Sequence, residues 1–96
     1  MNHKLLPLTE TMHYILLVLR KANHGYAVMQ EIQRLSHNTV ILAPGTLYGA
    51  IENLSKNGLI EHVGTENRKK VYLITPLGEE ILEIEKQRLE HIINLY

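Results

Sequence analysis

The 96-residue chain contains no cysteine, no tryptophan and no phenylalanine. Without cysteine it can form neither a disulfide nor a thiolate metal site or nucleophile. Long apolar runs are also missing, since the longest near the N-terminus, Tyr14–Leu19, is far too short to span a bilayer. Pro7, Glu10 and His13 interrupt what would be the apolar region of a signal peptide. We therefore expect a cytoplasmic protein that has no membrane partner.

An excess of charge of one sign is absent as well, because ten basic side chains balance ten acidic ones. Their distribution along the chain is nevertheless uneven. Residues 1–78 carry eight basic and five acidic side chains, whereas residues 79–96 carry two basic and five acidic ones. A basic body with an acidic tail is consistent with one face on nucleic acid and the other turned away. The hydrophobic content of 45% is that of one ordinary globular domain.

Patterns typical of metal binding and catalysis are missing too. The six histidines never fall three or four residues apart, the spacing that places two ligands on one helix face. No serine lies in a recognisable nucleophile turn, there is no phosphate-binding loop, and half of the carboxylates cluster in the tail. We expect no metal, no cofactor and no enzymatic activity.

Apolar residues at helical spacing predict four helices. The first is predicted from Thr9 to about Ala22, the second from Tyr26 to Leu35, the third from Pro44 to Asn57-Gly58, and the last from Thr75-Pro76 to the C-terminus. The inward faces are predicted to carry Val28, Ile32 and Leu35 in the second helix, and Leu47, either Ala50 or Ile51, and Leu54 in the third. Residues 23–25 are expected to form a turn, and residues 40–42 could form a very short strand.

Two segments rich in β-branched and aromatic residues follow the third helix. Leu59–Val63 and Val71–Ile74 are predicted to pair around the polar turn Gly64–Asn67, so that Arg68, Lys69 and Lys70 lie at the tip or just beyond it. The order helix, Gly turn, strand, basic tip, strand is that of a winged helix-turn-helix. We therefore predict a mainly α protein: a three-helix core with a two-stranded wing in residues 1–75, then a C-terminal dimerisation helix in residues 76–96, all in one compact unit.

A set of short motifs resembles the PadR family of transcriptional regulators. They are His24-Gly25-Tyr26, the run Ala43–Tyr48, Leu54 to Gly58-Leu59-Ile60, and Lys70-Val71-Tyr72 to Thr75–Gly78, in family-like order and spacing over residues 8–84. The resemblance implies a homodimeric winged-helix repressor in which each last helix packs on the partner's first helix, and which often responds to a small hydrophobic ligand. An end at Tyr96 would make the chain a short-tailed or truncated member.

The third helix and the wing supply the candidate DNA contacts. Thr46, Gly49, Glu52 and Asn53 lie off the apolar stripe, and small or hydrogen-bonding side chains on an outer face allow approach to base edges and phosphates. A solvated face is the alternative for this helix, as it is for the basic run at the wing. The predicted DNA-binding residues are Tyr26, Pro44, Gly45, Thr46, Tyr48, Asn53, Lys56, Arg68, Lys69 and Lys70. The resemblance implies backbone contact by Tyr26 and Tyr48, which could otherwise be half-buried packing residues.

The last helix carries more apolar surface than a small winged domain can cover. Leu82, Leu89 and Tyr96 repeat every seven residues, and isoleucines widen the stripe. We predict a homodimer interface of Leu82, Leu89, Ile92, Ile93 and Tyr96, which would suit a palindromic double-stranded operator. A small aromatic effector could lie among Met12, Tyr14, Val18, Leu89, Ile93 and Tyr96, although these side chains could equally build only the dimer core. Other functional classes are a winged-helix protein–protein module and a ligand-binding protein without DNA binding.

Overall fold

The structure, a computed structural model, describes residues 3–96 as four helices and a three-stranded antiparallel sheet. In chain order the elements are α1 Glu10–Val18, β1 Asn23–His24, α2 Gly25–Leu35, α3 Pro44–Lys56, β2 Ile60–Glu66, β3 Lys69–Ile74 and α4 Pro76–Ile93. Strands β2 and β3 form the wing, and β1 pairs with the other edge of β3. The predicted architecture is confirmed, with β1 as an additional strand.

Local capping explains where the helices begin and end. The Thr9 and Thr75 hydroxyls accept hydrogen bonds from the Met12 and Gly78 amides at the starts of α1 and α4. Helices α3 and α4 open with a proline in the first turn, where no amide hydrogen is needed. Gly58, with φ of 76°, ends α3 in the left-handed conformation, as the sequence predicts.

The core lies where α1, α2 and α3 meet the base of the sheet and the first half of α4. Its fully buried apolar members are Ile15, Leu16, Leu19, Val28, Ile32, Leu47, Leu54, Leu59, Ile60 and Ile81. The predicted inward stripe of α3 is confirmed, because Leu47, Ile51 and Leu54 are all buried. Leu35, predicted to face inward from α2, is instead 41% exposed. Since Leu35 is the last residue of α2, we attribute its exposure to the helix having passed the edge of the core.

Residues 19–25 differ from the prediction because tertiary pairing competes with helix. Helix α1 ends at Val18, four residues before the predicted Ala22, and the Leu19 carbonyl accepts a hydrogen bond from the Ile74 amide. Asn23 and His24, predicted as part of a turn, pair as a strand with Tyr72 and Val71. The prediction of a short strand at residues 40–42 was wrong, since this segment has no regular structure.

The wing is longer and its loop tighter than predicted. Strand β2 continues through Gly64, Thr65 and Glu66, which the sequence assigned to the turn, and Glu66 pairs with Lys69 across a two-residue loop. A bulge between His62 and Gly64 absorbs one residue of register. The loop therefore consists of Asn67 and Arg68 alone.

Helix α4 has a buried first half and an exposed second half. Gly78, Ile81 and Glu85 are buried against the domain. A methyl group on Gly78 would lie 2.2 Å from the Leu59 carbonyl oxygen, so α4 crosses the backbone at the start of the wing in direct contact. The helix ends at Ile93 rather than at the C-terminus.

Candidate nucleic-acid interface

The outer face of α3 is open along most of its length. Among the predicted contact residues, Pro44, Gly45, Thr46, Tyr48 and Lys56 are exposed. Methyl groups placed on Gly45 or Gly49 would meet no atom within 4 Å, so residues 3–96 leave this face open at both glycines. A helix with this exposed, small-residue surface can approach a nucleic-acid groove closely.

Asn53 is less accessible than its neighbours on α3. Its side-chain oxygen accepts a hydrogen bond of 3.0 Å from Nδ2 of Asn57, and the same side-chain nitrogen donates to the Asn53 backbone carbonyl at 2.7 Å. Asn57 is the residue that caps the end of α3. Asn53 is therefore half-buried and engaged in the end of the helix, and its contact with DNA stays a prediction.

The wing brings its basic residues to the side of α3. Two clefts separate α3 from the wing, of about 430 and 350 Å³. The first is lined by Tyr48, Ile51, Glu52, Ser55, Lys56, Lys70 and Tyr72, and the second by Gly25, Tyr48, Arg68, Lys69, Lys70 and Tyr72. Tyr48, Lys70 and Tyr72 border both clefts. The structure thus places the predicted helix residues and the predicted wing cations side by side.

The wing cations are available for an anionic partner. Within residues 3–96 the ion pairs are Arg34–Glu31 and Arg88–Glu85, and neither involves Lys56 or the wing. The Lys69 ammonium lies 5.9 Å from the centre of the Tyr26 ring, a cation–π contact that joins the wing to the start of α2. Tyr26 itself is half exposed. The positive charge of this surface is therefore uncompensated by ion pairs and held close to α2 and α3.

The residues predicted for a dimer interface and an effector lie on α1, on α4 and just after α4, and none of them lines the two clefts beside the wing. A groove of about 510 Å³ between α1 and α4 is lined by His13, Leu17, Arg20, Glu79, Leu82, Glu83, Lys86, Leu89, Glu90 and Ile93. A second cleft, of about 400 Å³, includes Tyr14 and Leu89. Met12 and Val18 instead pack against the core, and Tyr96 is fully exposed beyond the helix. The structure thus brings part of the effector set together and separates the rest.

Sequence reasoning missed two contributors to these surfaces. Leu17 lies off the α1 stripe that faces the core, yet it lines both the groove and the second cleft. Gly25 contacts the ring of Tyr48, which is 23 residues away along the chain. An apolar residue off the core stripe was a usable signal for Leu17, whereas no local pattern indicates the contact of Gly25.

No helix in residues 3–96 is long and apolar enough to cross a membrane. In the same part of the chain, no group of three or more His, Asp or Glu side chains is arranged to hold a metal ion.

Comparison with known proteins identifies the family. The profile of the transcriptional regulator PadR-like family matches residues 15–84. The chain belongs to this family. An uncharacterised protein of Lysinibacillus sphaericus is 33% identical over 87 residues, which are 83% of this chain and 80% of that protein. The transcriptional regulator YqjI of Escherichia coli is 29% identical over 73 residues, which are 76% of this chain.

The PadR-like relatives differ in length. This chain spans 35% of YqjI and 19% of an uncharacterised protein encoded by a transposon of Streptomyces fradiae. Among solved structures, a transcriptional regulator from Clostridium thermocellum superposes with a TM-score of 0.76 at 26% identity, covering 90% of this chain and 88% of that one. Bacillus subtilis PadR, solved in complex with operator DNA, gives a TM-score of 0.67 at 24% identity over 80% of this chain and 46% of its own. This second likeness concerns the fold alone.

Proposed function

We propose that this PadR-like protein is a dimeric, sequence-specific DNA-binding repressor without enzymatic activity. The observation that carries the proposal is the open outer face of α3 beside wing cations that form no ion pair within residues 3–96. A face of this kind meets the two needs of a DNA-binding surface, a helix that fits the major groove and positive charge for the phosphates beside it. The solved complex of Bacillus subtilis PadR with operator DNA supports this use of the fold.

Each part of the surface has a distinct role in the proposed complex. Thr46 on α3 contacts base edges, with Asn53 as a second candidate if its bond to Asn57 opens. Tyr26 and Tyr48 donate hydrogen bonds from their hydroxyls to the phosphate backbone. The remaining candidates, Pro44, Gly45, Lys56, Arg68, Lys69 and Lys70, supply close backbone approach at the start of α3 and positive charge for phosphates.

The salt dependence of binding tests this proposal. Each lost phosphate contact reduces the slope of log affinity against log salt by about 0.9. We expect the double substitution Arg68→Ala with Lys69→Ala to weaken binding to every duplex alike and to make the slope shallower by roughly 2. The measurement is a titration of the chain's own upstream promoter fragment and of a random duplex, at several salt concentrations.

A matched double variant distinguishes local contact from net charge. Lys4→Ala with Lys21→Ala removes two exposed positive charges that line neither cleft beside the wing, and we expect it to leave the slope nearly unchanged. If the wing variant also leaves the slope unchanged, its cations are merely solvated. A wild-type chain that binds neither duplex would contradict the proposed function and favour a protein–protein module.

We further propose that α4 forms the dimer interface and that an effector releases the DNA. Leu89, Ile92, Ile93 and Tyr96 expose between 38% and 101% of their surface, which is unusual for such apolar side chains at the end of a helix. A two-fold dimer would present two copies of α3 to a palindromic operator. The groove between α1 and α4 offers Leu82, Leu89 and Ile93 as apolar walls for a small aromatic ligand. Such a ligand lowers operator affinity only to the extent that it binds the DNA-free conformation more tightly than the DNA-bound conformation.

A further inference from the structure

The start of α2 and the middle of α3 touch at one point. A methyl group built on Gly25 would lie 2.6 Å from Cε1, 2.9 Å from Cζ and 3.0 Å from the hydroxyl oxygen of Tyr48. These distances are too short for any real side chain, so the phenol end of Tyr48 rests directly on the Gly25 α-carbon. Gly25 is buried there, while half of the Tyr48 surface stays exposed.

Space rather than backbone conformation requires glycine at this position. Within residues 3–96, Gly58 is the glycine that adopts a positive φ, so the backbone of Gly25 is one that any residue can adopt. Gly25 also lies inside the first turn of α2, where alanine is the better helix former. The missing side chain therefore serves the contact with Tyr48.

Gly25 is also fixed relative to the wing. Strand β1 ends at His24, and its two residues pair with Tyr72 and Val71 of β3. Gly25 follows directly, so its α-carbon has a defined position beside β3. Because Tyr48 rests on Gly25, this contact sets the distance between the outer face of α3 and the wing. Tyr48 accordingly borders both clefts between α3 and the wing.

We propose that Gly25 is a positioning residue for DNA binding, which holds Tyr48 in the orientation that contacts the phosphate backbone. The inference rests on the proposed function and extends it to a residue that does not itself touch DNA. With alanine at position 25 the ring must swing away. The clashing atoms are the far end of a flexible, half-exposed side chain, so the fold survives while the placement of the hydroxyl is lost.

The first experiment reads the contact in the free protein. Protons close to an aromatic ring shift in the proton NMR spectrum, so the Gly25 α-protons should be displaced from their usual position in wild type. They should return to that position in Tyr48→Ala. Unshifted α-protons in wild type would overturn the contact and the proposal with it. Circular dichroism and thermal unfolding of Gly25→Ala report whether that variant remains folded.

The second experiment is a double-mutant cycle on DNA affinity, with the upstream promoter duplex as the probe. Gly25→Ala and Tyr48→Ala should each weaken binding by about tenfold, the loss expected for one hydrogen bond to a charged group. The double variant should be no weaker than Tyr48→Ala alone, because Gly25 acts through that ring. Additive losses, or a Gly25→Ala chain that binds as tightly as wild type, would refute the positioning role and leave the proposed function standing. A wild-type chain that binds no DNA would refute both.

Discussion

At the residue scale, the tip of the wing combines an unfavourable backbone conformation with a positive charge. Asn67 and Arg68 have φ of 50° and 66°, both in the left-handed region, as the central pair of a two-residue hairpin loop. This type of loop favours Asn followed by Gly, because both residues must tolerate positive φ. Asparagine does so readily, whereas arginine costs about 1 kcal/mol. We infer that the charge of Arg68 is retained for binding, despite its effect on stability.

Replacing Arg68 with glycine should therefore change stability and DNA affinity in opposite directions. We expect Arg68→Gly to raise the free energy of unfolding by about 1 kcal/mol, because the left-handed strain is removed, and to weaken DNA binding at the same time. Thermal unfolding and duplex titration measure the two effects. Asn67→Gly is the control, since it relaxes the same loop without removing a charge and should leave the affinity unchanged. Equal affinity in both variants would show that Arg68 makes no contact.

A second residue-scale feature is the buried carboxylate of Glu85. One oxygen accepts a hydrogen bond of 2.6 Å from the Leu8 amide, and the other accepts one of 2.6 Å from Nε of Arg88. The hydrogen bond from Arg88 lowers the pKa of Glu85 most, with further lowering by the Leu8 amide, while burial opposes both. The ionised carboxylate thus links the segment before α1 to the middle of α4.

The lowered pKa of Glu85 predicts how stability depends on pH. The contribution of this carboxylate is fully present above the pKa of an unfolded glutamate, about 4.3, and is lost as the pH falls through the lower folded value. We expect Glu85→Gln to reduce the free energy of unfolding at pH 7 by about 2 kcal/mol, because a buried charge-assisted network is broken. Urea unfolding at several pH values checks this, with the exposed Glu80→Gln as the control. A difference from wild type that persists unchanged into strong acid would contradict the role of the charge.

At the scale of elements, α3 has an open outer face that carries glycines, which lower helix stability. It carries glycine at positions 45 and 49, and Gly49 lies in the interior of the helix. Glycine there lowers helix stability relative to alanine, and no contact within the described residues requires it, since a methyl group would meet nothing within 4 Å. The physical reason we infer is close approach of the helix backbone to DNA.

Substitution of Gly49 tests this view of α3. We expect Gly49→Ala to raise the free energy of unfolding by roughly 0.5–1 kcal/mol and to weaken DNA binding, since the added methyl group lies on the face proposed to enter the groove. The exposed Gln87→Ala in α4 is the control for a side-chain change on a helix away from DNA. If Gly49→Ala is both more stable and equally good at binding, the centre of α3 does not approach DNA closely.

At the scale of the whole molecule, the two halves of α4 have different surroundings. The first half contributes Gly78, Ile81 and Glu85 to the folded domain, while Ile93 is 66% exposed. The groove between α1 and α4 is lined by the apolar strip Leu82, Leu89 and Ile93, by carboxylates, and by Arg20 and Lys86. Such a surface, with both charge signs around an apolar strip, suits a second copy of the same surface in a two-fold dimer.

We expect charged side chains on this apolar strip to disrupt the proposed dimer. Leu89→Lys with Ile93→Glu should convert a dimer at micromolar concentration into a folded monomer, because both side chains are exposed in the single chain and tolerate charge there. Sedimentation gives the mass and circular dichroism the helix content. Gln87→Lys, an exposed position on α4 that does not line the groove, should remain dimeric. A folded wild-type monomer would overturn the interface and the palindromic operator with it.

The local patterns of the sequence determined most elements and much of the candidate site. Helical spacing predicted the stripe of Leu47, Ile51 and Leu54, because the 3.6-residue repeat of a helix determines which side chains share one face. Caps at Thr9, Thr75 and Gly58 fixed the helix ends, since a cap involves only residues a few positions apart. The basic run Arg68–Lys70 marked the wing for the same reason: its position after a strand and a polar turn is a local signal.

Only the tertiary structure decided what depends on residues distant in the chain. The Leu19 carbonyl leaves α1 to bond with Ile74, and Asn23-His24 becomes a strand because β3 offers a free edge. The hydrogen bond from the Leu8 amide to the buried Glu85 carboxylate, which spans 77 positions, and the contact between Gly25 and Tyr48 arise in the same way. The residues next to a backbone group or a small side chain do not indicate which distant residue it will contact, because only the fold brings the two together. The sequence therefore determines the elements and their charges, and the packing of those elements sets the geometry of the surface they form.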